Sequence, residues 1–413
     1  MVKKSLFLVV AFALSIYVGY LAVQESAVKE KENATLPPAS QVEQENSIRE
    51  TIKKMSLEEK VGQLVIVGAD GYEINAHVEE LIKEYHVGGF VLFKKNIKDA
   101  RQLLDLLNAL KETNAVNKIP LFLSVDEEGG SISRMPDEFM KMPTSQQIGE
   151  INSKSLSYQV GSIIGEELES FGFNMDFAPV LDINSNPDNP VIGDRAFGAN
   201  ENVVKELGIQ TMEGLRSQNI IPVVKHFPGH GDTSVDSHVG LPRVNHDIDR
   251  LKNFELVPFA AAIKKEVEAV MVAHILLPKI DPNYPASFSR TIITDILRTD
   301  MKYDGVVVTD DMTMGAVLNN YEIGTAAVES IKAGSDIVLV CHGYENEKTV
   351  LKAIKQAVES GAIPQERIDQ SVYRILRLKQ KYHLTDEITE FPVVQRINDR
   401  IRGLYKDFPA LTS

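Results

Sequence analysis

Eight short apolar runs, each nearly continuous in Val, Ile and Leu, recur along the chain at 62–67, 87–92, 120–125, 173–181, 221–224, 269–273, 305–308 and 336–340. A strand with one wet face alternates apolar and polar residues. Runs without that alternation suit parallel strands covered on both faces. Amphipathic helical patterns lie between them. Over 157–172, Val160, Ile163, Ile164, Leu168 and Phe171 recur at helical spacing, and over 365–382 Ile368, Val372, Ile375 and Leu376 do the same. Eight strand–helix units in one span predict an α/β fold, the (β/α)8 TIM-type barrel. The alternative, an open doubly wound sheet, calls for a Gly-x-Gly-x-x-Gly turn after its first strand, and the chain has none there.

A barrel of this kind gathers its polar chemistry at the C-terminal ends of the strands. The third run ends in Asp126-Glu127-Glu128-Gly129-Gly130, with Arg134 just beyond. The fourth runs into Asp182 and a long loop holding Gly193-Asp194-Arg195-Ala196-Phe197-Gly198. The fifth delivers Lys225 and His226, the sixth His274 and the seventh Asp310-Asp311. The densest stretch is Lys225 to His238, which carries three of the nine histidines of the chain together with Asp232 and Asp236. In Asp236-x-His238 a carboxylate stands close enough to accept a ring proton, fixing the imidazole tautomer and raising its proton affinity. Pattern alone does not choose between Asp310 and Asp311, which a regular strand would point to opposite sides.

The ends of the chain read differently. Lys3-Lys4 precede an uninterrupted apolar stretch, 5–23, followed by a charged segment with Pro37-Pro38. Basic residues before such a run orient its N-terminus inward, and its length suits an uncleaved signal-anchor in preference to a cleaved signal peptide. Either way the remainder is expected to be exported, to the extracellular face of the membrane or the cell wall. The expected division is 1–23 anchor or signal, 24–45 linker, 46–385 barrel domain and 386–413 a tail without an assigned role. A net charge of -14 argues against nucleic-acid binding. The single cysteine, Cys341, excludes an internal disulfide and any multi-cysteine metal cage.

Asp126-x-Glu128-Gly129-Gly130, Lys225-His226-Phe227-Pro228-Gly229-His230-Gly231-Asp232-Thr233, Asp236-Ser237-His238 and Thr309-Asp310-Asp311-Met312-x-Met314-Gly315 together resemble family 3 glycoside hydrolases. Within that family they resemble the β-N-acetylglucosaminidase branch, over about residues 46–382. The resemblance implies a retaining exo-acting enzyme that takes terminal N-acetylglucosamine from peptidoglycan-derived muropeptides. It also implies a single-barrel form with no second sandwich domain. Asp310 would be the nucleophile of a covalent glycosyl-enzyme. His238, paired with Asp236, would do the proton work that a second carboxylate does elsewhere. Asp126, Arg134, Arg195, Lys225 and His226 would bind the sugar hydroxyls, while His230, Asp232 and Thr233 would shape the loop. Relatives usually carry Gln where this chain has Glu127, which would add a negative charge near the site. No cofactor or metal is implied, and a monomer is expected.

Three other readings stand beside this one. His226-x3-His230, Asp232 and His238 could be ligands of a metal-dependent barrel hydrolase, although the loop after the first run offers no His-x-His. A non-catalytic wall-glycan binder would need neither Asp310 nor the Asp236–His238 pair. A phosphorylase on the same scaffold would use phosphate in place of water, which a neutral imidazole repels less than a carboxylate does.

Overall fold

The structure, a computed structural model, describes residues 39–412. The chain divides into two units, Met1–Thr51, whose described part is the start of the helix Ala39–Lys54, and Ile52–Ser413, which holds the barrel. The apolar run 5–23 lies outside the described residues. Among the described residues no helix is long and apolar enough to cross a membrane.

The second unit is built on eight parallel strands: β1 (Val65–Gly68), β2 (Gly89–Leu92), β3 (Phe122–Val125), β4 (Met175–Asp176), β5 (Ile221–Phe227), β6 (Ala269–Val272), β7 (Val306–Asp311) and β8 (Ile337–Val340). They pair in sequence order, and β8 closes on β1 with Ile66 opposite Leu339. Every residue of β1, β2, β3, β6 and β8 is buried, which is what their lack of alternation predicts. The fourth run departs from expectation. Only Met175 and Asp176 form the ladder, and 177–181 continues extended with a single bridge from Val180 to Lys225. The peptide bond before Pro179, like those before His226 and Pro228, is cis.

Helices cover the outside. The one expected over 157–172 spans Lys154–Phe171; the Ser153 side chain accepts the Leu156 N–H at its start and Gly172, at φ 86°, ends it. The helix expected over 365–382 spans Gln365–Lys381 and closes the bottom of the barrel. Its Lys379 sends Nζ to Gln63 Oε1 (2.8 Å) and to the carbonyls of Gly88 (2.9 Å) and Pro120 (2.7 Å), just before β1, β2 and β3. Asp336, just before β8, is the hub of a buried network at the same end. It receives Arg298 (2.5 Å), Arg374 (3.3 Å), the Ser371 hydroxyl (2.8 Å) and the Val307 N–H (3.1 Å). Residues 394–407 form a further helix, Val394–Asp407, which buries Ile397, Ile401 and Leu404. Its Arg396 and Arg400 pair with Glu166 on the helix Lys154–Phe171.

Candidate active site

The C-terminal ends of the strands surround a cavity of about 300 Å³. Asp126, Glu128, Arg134, Arg195, Lys225, His226, His230, His238 and Asp310 all line it. Phe177, Met271 and Leu339, side chains of the barrel interior, also line it and close it toward the core. Asp236 is absent from the lining but touches His238. Seven of the eight residues singled out for chemistry or sugar binding thus meet in one cavity, and the eighth stands directly behind.

The strand-three loop begins the cavity. Asp126 and Glu128 are two residues apart and share a side; Glu127, between them, turns away. Gly129 and Gly130, at φ 82° and 58°, let the chain double back so that Ile132 meets Glu128. A Cβ on Gly130 would also lie 2.5 Å from the Thr144 side chain. Glu128 then grips two cations. Its oxygens take Arg195 Nε (2.8 Å) and Nη2 (2.7 Å) in a fork, and Lys225 Nζ lies 2.7 Å away. Lys225, with its side chain only 2% exposed, also reaches Asp126 at 2.6 Å. Burial works against these charges, yet Lys225 and Arg195 together hold the Glu128 carboxyl far below its ordinary range, and Asp126 and Glu128 hold Lys225 up.

His226 faces the cavity with its ring fixed from behind. Its Nδ1 lies 2.6 Å from Asp182 Oδ2, and its Nε2 is 3.5 Å from Arg195 Nη2. A carboxylate on Nδ1 fixes the tautomer with the proton there and leaves Nε2 to the cavity. Asp182, buried, is nonetheless depressed, since His226 and His230 outweigh the cost of burial. Arg134 brings a guanidinium whose buried Nε has no partner among the described residues. His238, on the loop over this cavity, has Nδ1 and its backbone N–H both 2.8 Å from Asp236 Oδ1.

Asp310 and Asp311 do not point to opposite sides as a regular strand predicts. The β7–β8 register shifts between Val308 and Asp311, and both residues line the cavity. They differ in occupation. Asp311 is saturated by the Thr313 N–H (2.9 Å), the Thr313 hydroxyl (2.5 Å) and the Cys341 N–H (2.9 Å). Among the described residues, Asp310 accepts only the Asp311 N–H, at 2.9 Å. Burial presses its carboxyl upward, but His226, His274, that N–H and Lys225 outweigh burial and hold it below the ordinary range. His274, between Ser287 (2.6 Å) and the Asp311 carbonyl (3.0 Å), is a buried structural ring that supports this strand end.

Two expectations change here. Glu127 does not add charge to the cavity: it is 1% exposed, lies outside the lining and accepts the N–H groups of Arg134 (2.6 Å) and Met135 (3.3 Å). Burial pushes it up to about 7, and Glu167 and Asp176, buried beside it, are raised as well. The histidines offered as metal ligands are not gathered on one point. His226 is bound to Asp182, His230 to Thr233 and Ser237, His238 to Asp236, and Asp232 lies 2.8 Å from His246. Sequence reasoning passed over Glu128 and Asp182 as site residues. The two-residue parity of a strand was the available signal for Glu128, since it places Glu128 beside Asp126. The position of Asp182 at the end of the fourth run was the available signal there, but its partner is 44 residues away and spacing does not reveal it.

Residues 56–378 match the glycosyl hydrolase family 3 N-terminal domain. The chain is 37% identical over 328 residues to beta-hexosaminidase A of Pseudoalteromonas piscicida, covering 74% of this chain and 55% of that one. It is 33% identical over 303 residues to a beta-hexosaminidase of Nitrosomonas eutropha, covering 71% and 86%. Among solved structures, a family 3 beta-N-acetylglucosaminidase from Paenibacillus sp. str. FPU-7 superposes with a TM-score of 0.81 at 41% identity, over 85% of this chain and 68% of that one. Barrel, cavity and comparisons converge: the chain belongs to glycoside hydrolase family 3, in its β-N-acetylhexosaminidase branch.

Proposed function

We propose that the protein removes one terminal β-linked N-acetylglucosamine at a time from peptidoglycan-derived muropeptides, with retention of configuration. The observation that carries this reading is the contrast at the end of β7. Asp311 is consumed by three donors, whereas Asp310 is ionised, nearly unpartnered and open to a cavity shared with the Asp236–His238 pair.

In the first step an Asp310 oxygen attacks the anomeric carbon as the bond to the leaving oxygen breaks. His238, protonated on both nitrogens, gives its Nε2 proton to that oxygen, and Asp236 on Nδ1 stabilises the imidazolium before transfer. In the second step His238 Nε2 takes a proton from water, the resulting hydroxide bonds to the anomeric carbon, and the ester to Asp310 opens. Asp126, Glu128, Arg195 and Lys225 form a wall of fixed charges, with the His226 ring beside them, suited to ring hydroxyls. Arg134 Nε, buried without a partner, is a donor that a substrate oxygen would satisfy. The basic residues before the run 5–23 support export, so the muropeptides in question are those met outside the cell membrane.

The test is release of 4-nitrophenol from its β-N-acetylglucosaminide by the wild type, Asp310→Ala and His238→Ala, with and without chelator and phosphate. Asp310→Ala is expected to lose at least about 10³-fold in kcat, and His238→Ala about 10²-fold, within the usual range for positioned proton transfer. The wild-type rate is expected to be unaffected by chelator. Full activity in Asp310→Ala would sink the nucleophile assignment, and acceleration by phosphate would change the acceptor.

A further inference from the structure

The acid/base pair stands on an unusual piece of chain. The His238 side chain is 66% exposed, and Val235 and Val239 on the same loop are exposed as well. Yet Ser237, between Asp236 and His238, is 1% exposed. Its Oγ lies 3.1 Å from His230 Nε2, and its carbonyl accepts the Ala316 N–H at 3.0 Å. The His238 carbonyl accepts the Gly315 N–H at 3.2 Å. Gly315 opens the helix Gly315–Leu318, four residues after Asp311, and a Cβ there would sit 2.6 Å from the His238 carbonyl oxygen. The loop therefore rests on the segment that leaves the nucleophile strand.

The proton order in this region is determined by a single hydroxyl. Thr233 Oγ donates to the His230 carbonyl at 3.0 Å. Its proton is then spent, so the 2.7 Å contact between Thr233 Oγ and His230 Nδ1 is an N–H donating to the hydroxyl oxygen. A neutral ring with its proton on Nδ1 has a bare Nε2, and the Ser237 hydroxyl donates to it. Burial, reinforced by His226, lowers the His230 imidazole to about 4, in keeping with a neutral ring. On the other side the His230 backbone N–H donates to Asp182 Oδ1 at 2.6 Å, and the second oxygen of Asp182 holds His226. One hydrogen-bonded line thus runs from the sugar-facing His226 through Asp182 and His230 to Ser237.

We propose that His230 and Ser237 are positioning residues of the reaction: the Ser237 O–H···Nε2 His230 bond holds the Asp236–His238 pair against the nucleophile strand and ties its placement to His226 through Asp182. The proposal rests on the reading of His238 as acid/base. A residue that acts through the acid should matter in proportion to how much the leaving group needs a proton. A residue that only keeps the barrel folded should not discriminate among leaving groups.

The experiment uses the full chain with Ser237→Ala, Ser237→Thr and His230→Ala, and His238→Ala as reference. Each is assayed on aryl β-N-acetylglucosaminides graded from 2,4-dinitrophenyl, which leaves unaided, to 4-methoxyphenyl, which does not. Ser237→Ala and His230→Ala are expected to lose about 10- to 100-fold in kcat/KM on the poor leaving group and less than about 3-fold on the dinitrophenyl glycoside. Inhibition by free N-acetylglucosamine is expected to stay unchanged, reporting an intact sugar wall. Ser237→Thr, which keeps the hydroxyl, is expected to recover most of the loss. Equal losses on all leaving groups, or none, would overturn the positioning role. If His238→Ala shows no leaving-group dependence, the acid/base reading itself fails, and that outcome is distinct from failure of the proposal.

Discussion

Three successive carboxylates, Asp126, Glu127 and Glu128, share a stretch of chain and have three electrostatic fates. Asp126 and Glu128 face Lys225 and serve the cavity, and Glu128 is driven to permanent ionisation by two cations. Glu127 is turned into a pocket with Glu167 and Asp176, and among the described residues the Asp176 Oδ2 is buried without a partner and no cation forms an ion pair with any of the three. Burial raises Glu127 to about 7, above its value in the unfolded chain. The stability contributed by its protonated form is therefore fully present below about pH 4.5 and is lost as pH rises through about 7. Glu127→Gln keeps an oxygen for the Arg134 and Met135 N–H groups and removes the titration. The variant is expected to match the wild type at pH 4.5 and to exceed it at pH 8.5 by up to about 3 kcal/mol. Urea unfolding at both values measures this; equal stability at pH 8.5 would mean that Glu127 is not the group that titrates.

At the scale of elements the two ends of the barrel do different work. The bottom is held by Asp336, into which arginines from the helices Thr291–Asp300 and Gln365–Lys381 converge. Burial opposes its charge, but Arg298, Arg374 and Arg367 outweigh burial and depress its carboxyl. Its contribution is thus present above the ordinary Asp value and fades as pH falls through the folded one. Asp336→Asn is expected to cost about 3–5 kcal/mol at neutral pH, with a lower Tm by calorimetry, and the gap from the wild type should narrow in acid. The barrel itself was legible in the sequence because buried parallel strands announce themselves as unbroken apolar runs. So was the clustering of Asp126, Lys225, His226 and Asp310 at one end, since strand-end position follows once the runs are placed. The shortness of β4 was not, because apolar residues 177–181 remain buried with only a single bridge, from Val180 to Lys225, in place of a continued ladder. Nor was the shared orientation of Asp310 and Asp311: a register shift depends on the neighbouring strand and leaves no local trace. The Asp182–His226–His230–Ser237 line depends on contacts across loops, which spacing does not encode.

At the scale of the whole molecule the chain carries a net charge of -14, and the proposed substrates, with peptide-stem carboxylates, are anions as well. Like charges slow encounter when screening is weak. Raising salt from about 10 mM to about 150 mM shortens the screening distance from about 30 Å to about 8 Å. On the proposed reading kcat/KM for an anionic muropeptide is expected to rise about two- to three-fold over that range, while the value for an uncharged aryl glycoside stays flat. A fall with salt for the anionic substrate would place a dominant positive field at the mouth instead. The floor of Phe177, Met271 and Leu339 has a consequence of another kind. On the proposed exo-acting reading, the sugar that enters first lies deepest, and whatever was attached to it blocks the way out. Release therefore follows a queue in which the remainder of the chain departs before the cleaved sugar. On that reading a long glycan is not threaded onward while its last unit still occupies the end of the passage, so each encounter would shorten it by one unit and end in separation.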